Sequence, residues 1–226
     1  MLKWLKNKIP ESVRDFRYAW INEKIRNKQL MYNKLFVEKV LKDNGVIRLE
    51  YGAGGRQMDG FYRVDRFDPC ELYIDFEKDI MPFPDNSVDM IYSAHFFEHV
   101  RYPQPMRSIL EDAHRILKPN GEFSICVPDA RQYIDAYMHP EKYPNPRDLC
   151  VWEPAYFYNS PIDFINYIGY LDNGEHKILF EPENLMKILE DAGFKDVKLR
   201  EPNRNLDPIH HIDSVYDNIY AVAYKK

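Results

Sequence analysis

The sequence predicts an α/β fold built on one mostly parallel sheet. Three observations carry that expectation: short apolar runs of strand length, helical segments between the later runs, and turn signals at nearly every junction. Strands joined through loops and helices in this way form parallel sheets with both faces covered.

The elements follow in chain order. Residues 11–42 contain no Gly or Pro, and Trp20, Ile21, Ile25, Leu30, Leu35, Val37, Val40 and Leu41 recur at roughly helical spacing. Pro10-Glu11-Ser12 provides a start and Asn44-Gly45 a stop. Short strands are then expected at Val46–Tyr51, Phe61–Asp65, Glu71–Asp75 and Val88–Ser93, the last after the turn Pro84-Asp85-Asn86. Pro105–Leu117 reads as an amphipathic helix closed by Lys118-Pro119-Asn120-Gly121, and a strand follows at Glu122–Val127. Glu183–Ala192 reads as a helix stopped by Gly193, and Lys195–Glu201 and Asn218–Tyr224 complete the strands. Between the fifth strand and that helix, roughly residues 130–175, ten aromatic residues from Tyr133 to Tyr170 alternate with Pro140, Pro144, Pro146, Pro154 and Pro161. Prolines at this density predict no long regular element, and the segment is expected to form a lid or substrate platform on the ligand side of the sheet. The chain thus divides into a basic helical arm, 1–42, and a main domain, 43–226, that carries the aromatic insertion.

Composition narrows the function. Of 226 residues, 45% are hydrophobic and 30% charged, so the chain can bury a core and is not wholly disordered. No apolar run approaches the ~18 residues of a membrane span, and Lys3, Lys6 and Lys8 interrupt any leader core. Cys70, Cys126 and Cys150 give neither a disulfide framework nor a zinc pattern, and a reducing cytoplasm is the expected compartment. Residues 1–42 carry 11 Lys/Arg against 4 Asp/Glu, a net of +7, and the remainder a net of −12. An acidic body of that size argues against a nucleic-acid groove.

Open parallel sheets bind ligands beyond the carboxyl ends of their strands. The first strand ends in Glu50-Tyr51-Gly52-Ala53-Gly54-Gly55, where glycines let backbone approach a ligand closely. The second ends in Asp65, placed to accept hydrogen bonds from ribose hydroxyls. The third ends in Asp75-Phe76, a carboxylate and a ring suited to an adenine edge and face. The fourth ends at Ser93-Ala94-His95. A nicotinamide dinucleotide is the competing ligand, but its G-x-G-x-x-G fingerprint would need glycine where Gln57 stands, with an acid about 20 residues on. Asp65 comes 13 positions after Gly52.

These residues carry a resemblance. "LEYGAGGRQMDGFYRVD", "DIMPFPDNSVDMIYSAHFFEHV" and "ILEDAHRILKPNGEFSICVPD" within residues 46–129 resemble the class I S-adenosylmethionine-dependent methyltransferases, in particular a small bacterial branch associated with cell-surface polysaccharide gene clusters. The resemblance resumes at "EHKILFEPENLMKILEDAGFKDV" and at the closing "NIYAVAYKK", and leaves out residues 1–42 and 130–172. It implies a Rossmann-like seven-stranded sheet of order 3-2-1-4-5-7-6, with the last strand antiparallel and helices on both faces. It also implies S-adenosylmethionine as cofactor, held by Glu50, Gly52, Ala53, Gly54, Arg56, Asp65, Arg66, Asp75, Phe76, Ala94 and His95. One departure is the short path from Gly52 to Phe61, which leaves no room for the helix that usually follows the glycine turn. Arg56 is expected to supply a compensating positive charge.

For the reaction, O-methylation of a sugar or glycan precursor is expected, with His99, His176, His95 and Asp129 as candidate general bases and the first two favoured. Other acceptors are a small metabolite, a lipid or a protein side chain; a non-catalytic partner subunit that keeps the fold is the remaining alternative. His95-x-x-Glu98-His99 also matches an inverted zinc-protease motif. The sequence offers no third ligand, so no metal is expected. Asp89, opening a strand, is expected to be structural. The basic arm is expected to dock on the main domain or to join two copies as a homodimer.

Overall fold

The computed structural model describes residues 11–43, 45–67, 69–145, 149–150, 160–208 and 218–226. The chain divides into two compact units, Met1–Asn44 and Gly45–Lys226. The first consists, in its described part, of helix α1 (Glu11–Lys42), whose last turn holds Lys39 and Lys42 against the negative end of the helix dipole.

The second unit is a seven-stranded sheet of β1 (Arg48–Tyr51), β2 (Tyr62–Asp65), β3 (Leu72–Tyr73), β4 (Val88–Ala94), β5 (Leu117–Pro128), β6 (Lys195–Leu199) and β7 (Asn218–Tyr224). Their order is β3-β2-β1-β4-β5-β7-β6. Neighbours from β3 to β5 run parallel, and β7 lies antiparallel between β5 and β6. This is the Rossmann-like architecture expected from the sequence. Residues Phe123–Pro128 of β5 and Ile219–Ala223 of β7 are buried without interruption, as strands covered on both faces must be. The two edges are treated differently: β3 is two residues long, and β6 is mostly exposed and carries Lys195 and Lys198, both of which discourage pairing with another chain.

Two local features shape the site. Among the described residues no helix connects β1, β2, β3 and β4; the links are turns, and the short path after Gly52 is one of them. All helices of this unit follow β4. Helix α2 (Met106–Ile116) buries Met106, Ile109, Leu110, Ala113 and Ile116, one face at helical spacing. It ends where Pro119 disfavours helical backbone at Lys118, and the chain enters β5 already at Leu117, earlier than the turn residues alone suggest. Asp89 is structural as expected: it accepts from Ile47 N at 2.8 Å and from Lys118 Nζ at 2.8 Å.

The aromatic insertion departs from expectation. It contains two regular helices, α3 (Ala130–Met138) and α4 (Ile162–Gly174), because Pro140, Pro144, Pro146 and Pro154 all fall between them and Pro161 immediately precedes the second. Tyr133, Ala136, Leu149, Cys150, Phe164, Tyr167 and Ile168 form a separate small core, with Tyr133 stacked on Tyr167 at 5.7 Å. Tyr137 and Tyr170 are exposed. Trp152, Tyr156, Phe157 and Tyr158 lie outside the described residues. The insertion leaves the sheet at the carboxyl end of β5 and rejoins it beside β4, where Lys177 N donates to Glu98 O at 2.7 Å. Helix α5 (Pro182–Asp191) then leads to β6, its first turn fixed by reciprocal Glu181 and Asn184 hydrogen bonds.

Candidate functional site at the carboxyl edge of the sheet

Strand register brings the predicted residues to one level. Tyr51 pairs with Val64 on one side and Ser93 on the other, so Gly52, just past β1, stands level with Asp65 and Ala94, the last residues of β2 and β4. Gly52 N continues the ladder by donating to Val64 O at 2.9 Å. One residue before the end of β1, Glu50 is 3% exposed. Arg56 Nε lies 2.8 Å from its Oε1, while Oε2 is buried with no hydrogen-bond partner among the described residues. Burial pushes this carboxyl up to about 7 against the lowering pull of Arg56 and Arg63. Arg56 acts as a structural clamp at the glycine turn: its guanidinium also sits 5.2 Å from the Tyr92 ring centroid and donates to Leu206 O at 3.1 Å.

The glycines act differently from one another. Gly52 has φ +66°, and a Cβ built there would stand 2.5 Å from Phe96, so the close approach it permits is to a side chain of the protein itself. Phe96 continues the contact to Phe76 (4.8 Å between centroids), and Phe76 to Tyr51 (4.9 Å). Phe76 is therefore partly engaged in an aromatic row under the glycine turn. Gly54, at φ +55°, has open space where its Cβ would be, and its N donates to Asp65 Oδ2 at 2.9 Å. Phe67 N donates to Asp65 Oδ1 at 3.1 Å. Each Asp65 oxygen retains a second lone pair for a ligand hydroxyl, and the carboxylate also shapes the loop that surrounds it. Ala53 is buried in that loop. Asp75 stands beyond β3, in a turn rather than at a strand end, accepting from Glu77 N and pairing with Lys78 at 2.6 Å. Arg66 is exposed, with its guanidinium 4.6 Å from the Phe67 ring centroid.

The four proposed bases separate into two groups. Asp129 caps α3 by accepting from Arg131 N at 2.9 Å and is ion-paired with Arg131 at 2.8 Å; its carboxylate is committed to the scaffold. The three histidines gather around Glu98. A short 3-10 helix, Phe97–His99, buries Glu98 to 2% exposure. His95 Nδ1 lies 3.3 Å and His99 Nε2 4.0 Å from Glu98 Oε1. The His99 and His176 rings meet edge to face, 5.0 Å between centroids at 82°. His95 is held at φ +51° and its Nε2 lies 3.0 Å from Asn218 Oδ1 on β7. Burial raises the Glu98 carboxyl, but His95 and then His99 lower it further, and it stays below the ordinary carboxylate range. Glu98 stands inside the motif that the sequence singled out, yet its role at the centre of three histidines needs His176, delivered from the far end of the insertion.

A second buried cluster had no signal in the sequence. Asp207 accepts from Arg200 Nη1 at 2.6 Å, Arg200 Nη2 at 2.7 Å, Asn203 N at 2.7 Å and Tyr92 Oη at 2.8 Å. Burial works to raise Asp207, but the Arg200 hydrogen bond and charge bring its carboxyl below the usual range. The cluster docks the 200–207 loop against β4, where Leu206 meets Arg56.

Residues 66–125 match the profile of a family described as a methyltransferase domain. Among solved structures the chain is similar to an S-adenosylmethionine-dependent methyltransferase from Archaeoglobus fulgidus, at 18% identity and a TM-score of 0.47, covering 92% of this chain and 99% of that one. It is also similar to an S-adenosylmethionine-dependent methyltransferase from Mesorhizobium loti, at 14% identity and a TM-score of 0.45, covering 82% and 96%. No curated protein matches the chain.

Proposed function

We propose that the chain is an S-adenosylmethionine-dependent methyltransferase that methylates a hydroxyl group of a sugar or glycan precursor for a cell-surface polysaccharide, in the cytoplasm. The observation that carries the reading is the buried Glu50 oxygen at the foot of the glycine turn, which has no hydrogen-bond partner among the described residues. A buried carboxylate oxygen without a donor is costly, and the ammonium of the donor's methionine moiety is a group that would satisfy it. The methyltransferase-domain match over residues 66–125 supports the same donor.

When bound, the donor supplies an electrophilic methyl group on a sulfonium. The protein's part is to hold, orient and keep water out. Glu50 takes the ammonium, Asp65 accepts from the ribose hydroxyls, Asp75 and Phe76 receive the adenine, and the open face at Gly54 admits the ligand to the backbone. Across the sheet edge His99 removes the acceptor proton, and Glu98 balances the charge that the imidazole gains. The acidic body disfavours a polyanionic acceptor, and three buried cysteines that form no disulfide with one another suit a reducing compartment.

Calorimetric titration with S-adenosylmethionine tests the donor. Saturable binding is expected, with Asp65→Ala weaker by about 1–3 kcal/mol for the loss of charge-assisted hydrogen bonds. Wild-type protein that takes up no donor would end the reading. Gly52→Val is a poor probe here, because its side chain would collide with Phe96 before any ligand.

A further inference from the structure

Three side chains at the carboxyl edge have a chemistry that removal of a proton does not require. Glu98, His99 and His176 bring their ligand-type atoms within 4.8 Å of one another. Glu98 is 2% exposed; among the described residues neither of its carboxylate oxygens has a hydrogen bond of good geometry, and only the His95 and His99 rings flank Oε1, at 3.3 and 4.0 Å. Burying an ionised carboxylate without hydrogen bonds is strongly unfavourable unless a cation compensates it. The buried Asp207 carboxylate, by contrast, is fully supplied with donors.

His176 adds an independent observation. Its Nδ1 lies 2.8 Å from Ile168 O. A carbonyl oxygen only accepts, so Nδ1 carries the hydrogen, and in the neutral ring Nε2 is the nitrogen that bears the lone pair. A backbone carbonyl that fixes the tautomer through the distal nitrogen is the usual outer support of a metal-binding imidazole. The link from Lys177 N to Glu98 O fixes the two segments to each other, so the ligands come from a held frame.

We propose that Glu98, His99 and His176 bind a divalent transition-metal cation. Two imidazoles and one carboxylate suit zinc, cobalt or iron in the divalent state, whereas magnesium and calcium prefer all-oxygen shells. Three protein ligands leave positions open, as in catalytic rather than structural sites. His95, with Nδ1 3.3 Å from Glu98 Oε1, stands beside the carboxylate as an outer partner.

The binding site follows from the three side chains alone; its consequence for the reaction rests on the reading above. An acceptor hydroxyl on the open position would be acidified by the cation and release its proton to water. The oxygen then bonds to the methyl carbon while the carbon–sulfur bond breaks, its electron pair passing to the sulfonium sulfur to give a neutral thioether. In the metal-free chain His99 keeps the role of base; with a cation bound it is a ligand.

The test uses the full chain, free of any histidine tag and treated with chelator, titrated with Co2+ and followed by visible d–d absorption. The expected result is a saturable band at a single equivalent, abolished by competing Zn2+. His99→Ala and His176→Ala should each weaken binding about tenfold or more, and a His210→Ala/His211→Ala double variant should leave it unchanged. Circular dichroism of the metal-free variants establishes that they fold. A wild-type chain that gives no band overturns the proposal whatever the variants do. So does unchanged affinity in folded His99→Ala and His176→Ala, or a loss confined to the His210/His211 variant. Donor titration on the same metal-free samples keeps the two readings apart: donor binding without cobalt binding sinks this site alone, and cobalt binding without donor binding sinks the methyl-transfer reading alone.

Discussion

At the scale of single residues, Glu50 ties stability to pH. Its carboxyl is raised from 4.5 to about 7 by burial, so between those values the folded chain holds a proton that the unfolded chain has lost. Stability falls wherever the folded state binds more protons as pH rises. The wild-type protein should therefore lose up to about 3 kcal/mol between pH 4.5 and 7 from this group, on the conversion of about 1.36 kcal/mol per pKa unit. Glu50→Gln, with nothing to titrate, should lack this component, and the difference between the two chains in urea unfolding at several pH values measures it. A difference that does not grow with pH would contradict the burial argument. The same ionisation bears on the proposed donor: an ammonium prefers the anion, so donor affinity should rise from pH 6 to pH 8 in the wild type. Gly52 teaches a related lesson. Its left-handed backbone is required as the sequence suggests, but the group pressed against it is Phe96, two positions beyond the end of β4.

At the scale of elements, the 200–207 loop is held by one carboxylate. Asp207→Ala would leave Arg200, with its side chain only 15% exposed, without its bidentate partner, and would remove the acceptors of Tyr92 and Asn203 N. Breaking a buried pair by removing one partner costs about 3–5 kcal/mol, and because Leu206 O meets Arg56, the glycine turn should loosen with it. Hydrogen exchange at Gly52–Arg56 is expected to accelerate in the variant; unchanged protection there would mean that the loop and the turn are independent. The contrast with the legible parts is physical. Strands β1, β2, β4, β5 and β7 announce themselves as apolar runs of strand length and helices α2 and α5 by a helical period of apolar residues, and Asp65 announces itself because it ends a strand at the carboxyl edge of the sheet. Asp207 has no period around it, and its side-chain partners Arg200 and Tyr92 are 7 and 115 positions away. His176 was legible as a residue type and not as a neighbour of Glu98, since the contact is made across the whole insertion. The insertion's helices were hidden by reading proline density as an average, when each proline's position decides what it interrupts.

At the scale of the whole molecule, the sheet is closed from the inside. Removing an outer strand such as β3, with its two residues, would trim the sheet. Removing β7 would break it, because β7 pairs with β5 through seven residue pairs and is also the partner of β6. A chain ended after residue 217 should thus show no cooperative unfolding transition by circular dichroism in urea, and a cooperative transition in that chain would show the remaining strands to be self-sufficient. The position of β7 also sets an order in time. Of the seven strands it is the last to leave the ribosome, yet its place is second from the edge, beside the buried β5. Until it emerges, one side of β5 carries open hydrogen-bonding groups beside the buried stretch from Phe123 to Val127, apolar but for Ser124, the kind of surface on which nascent chains aggregate. Synthesis of this protein therefore includes an interval, about the time needed to translate from β5 to β7, in which that edge must be shielded by a chaperone, by the tunnel or by transient contacts of the chain itself.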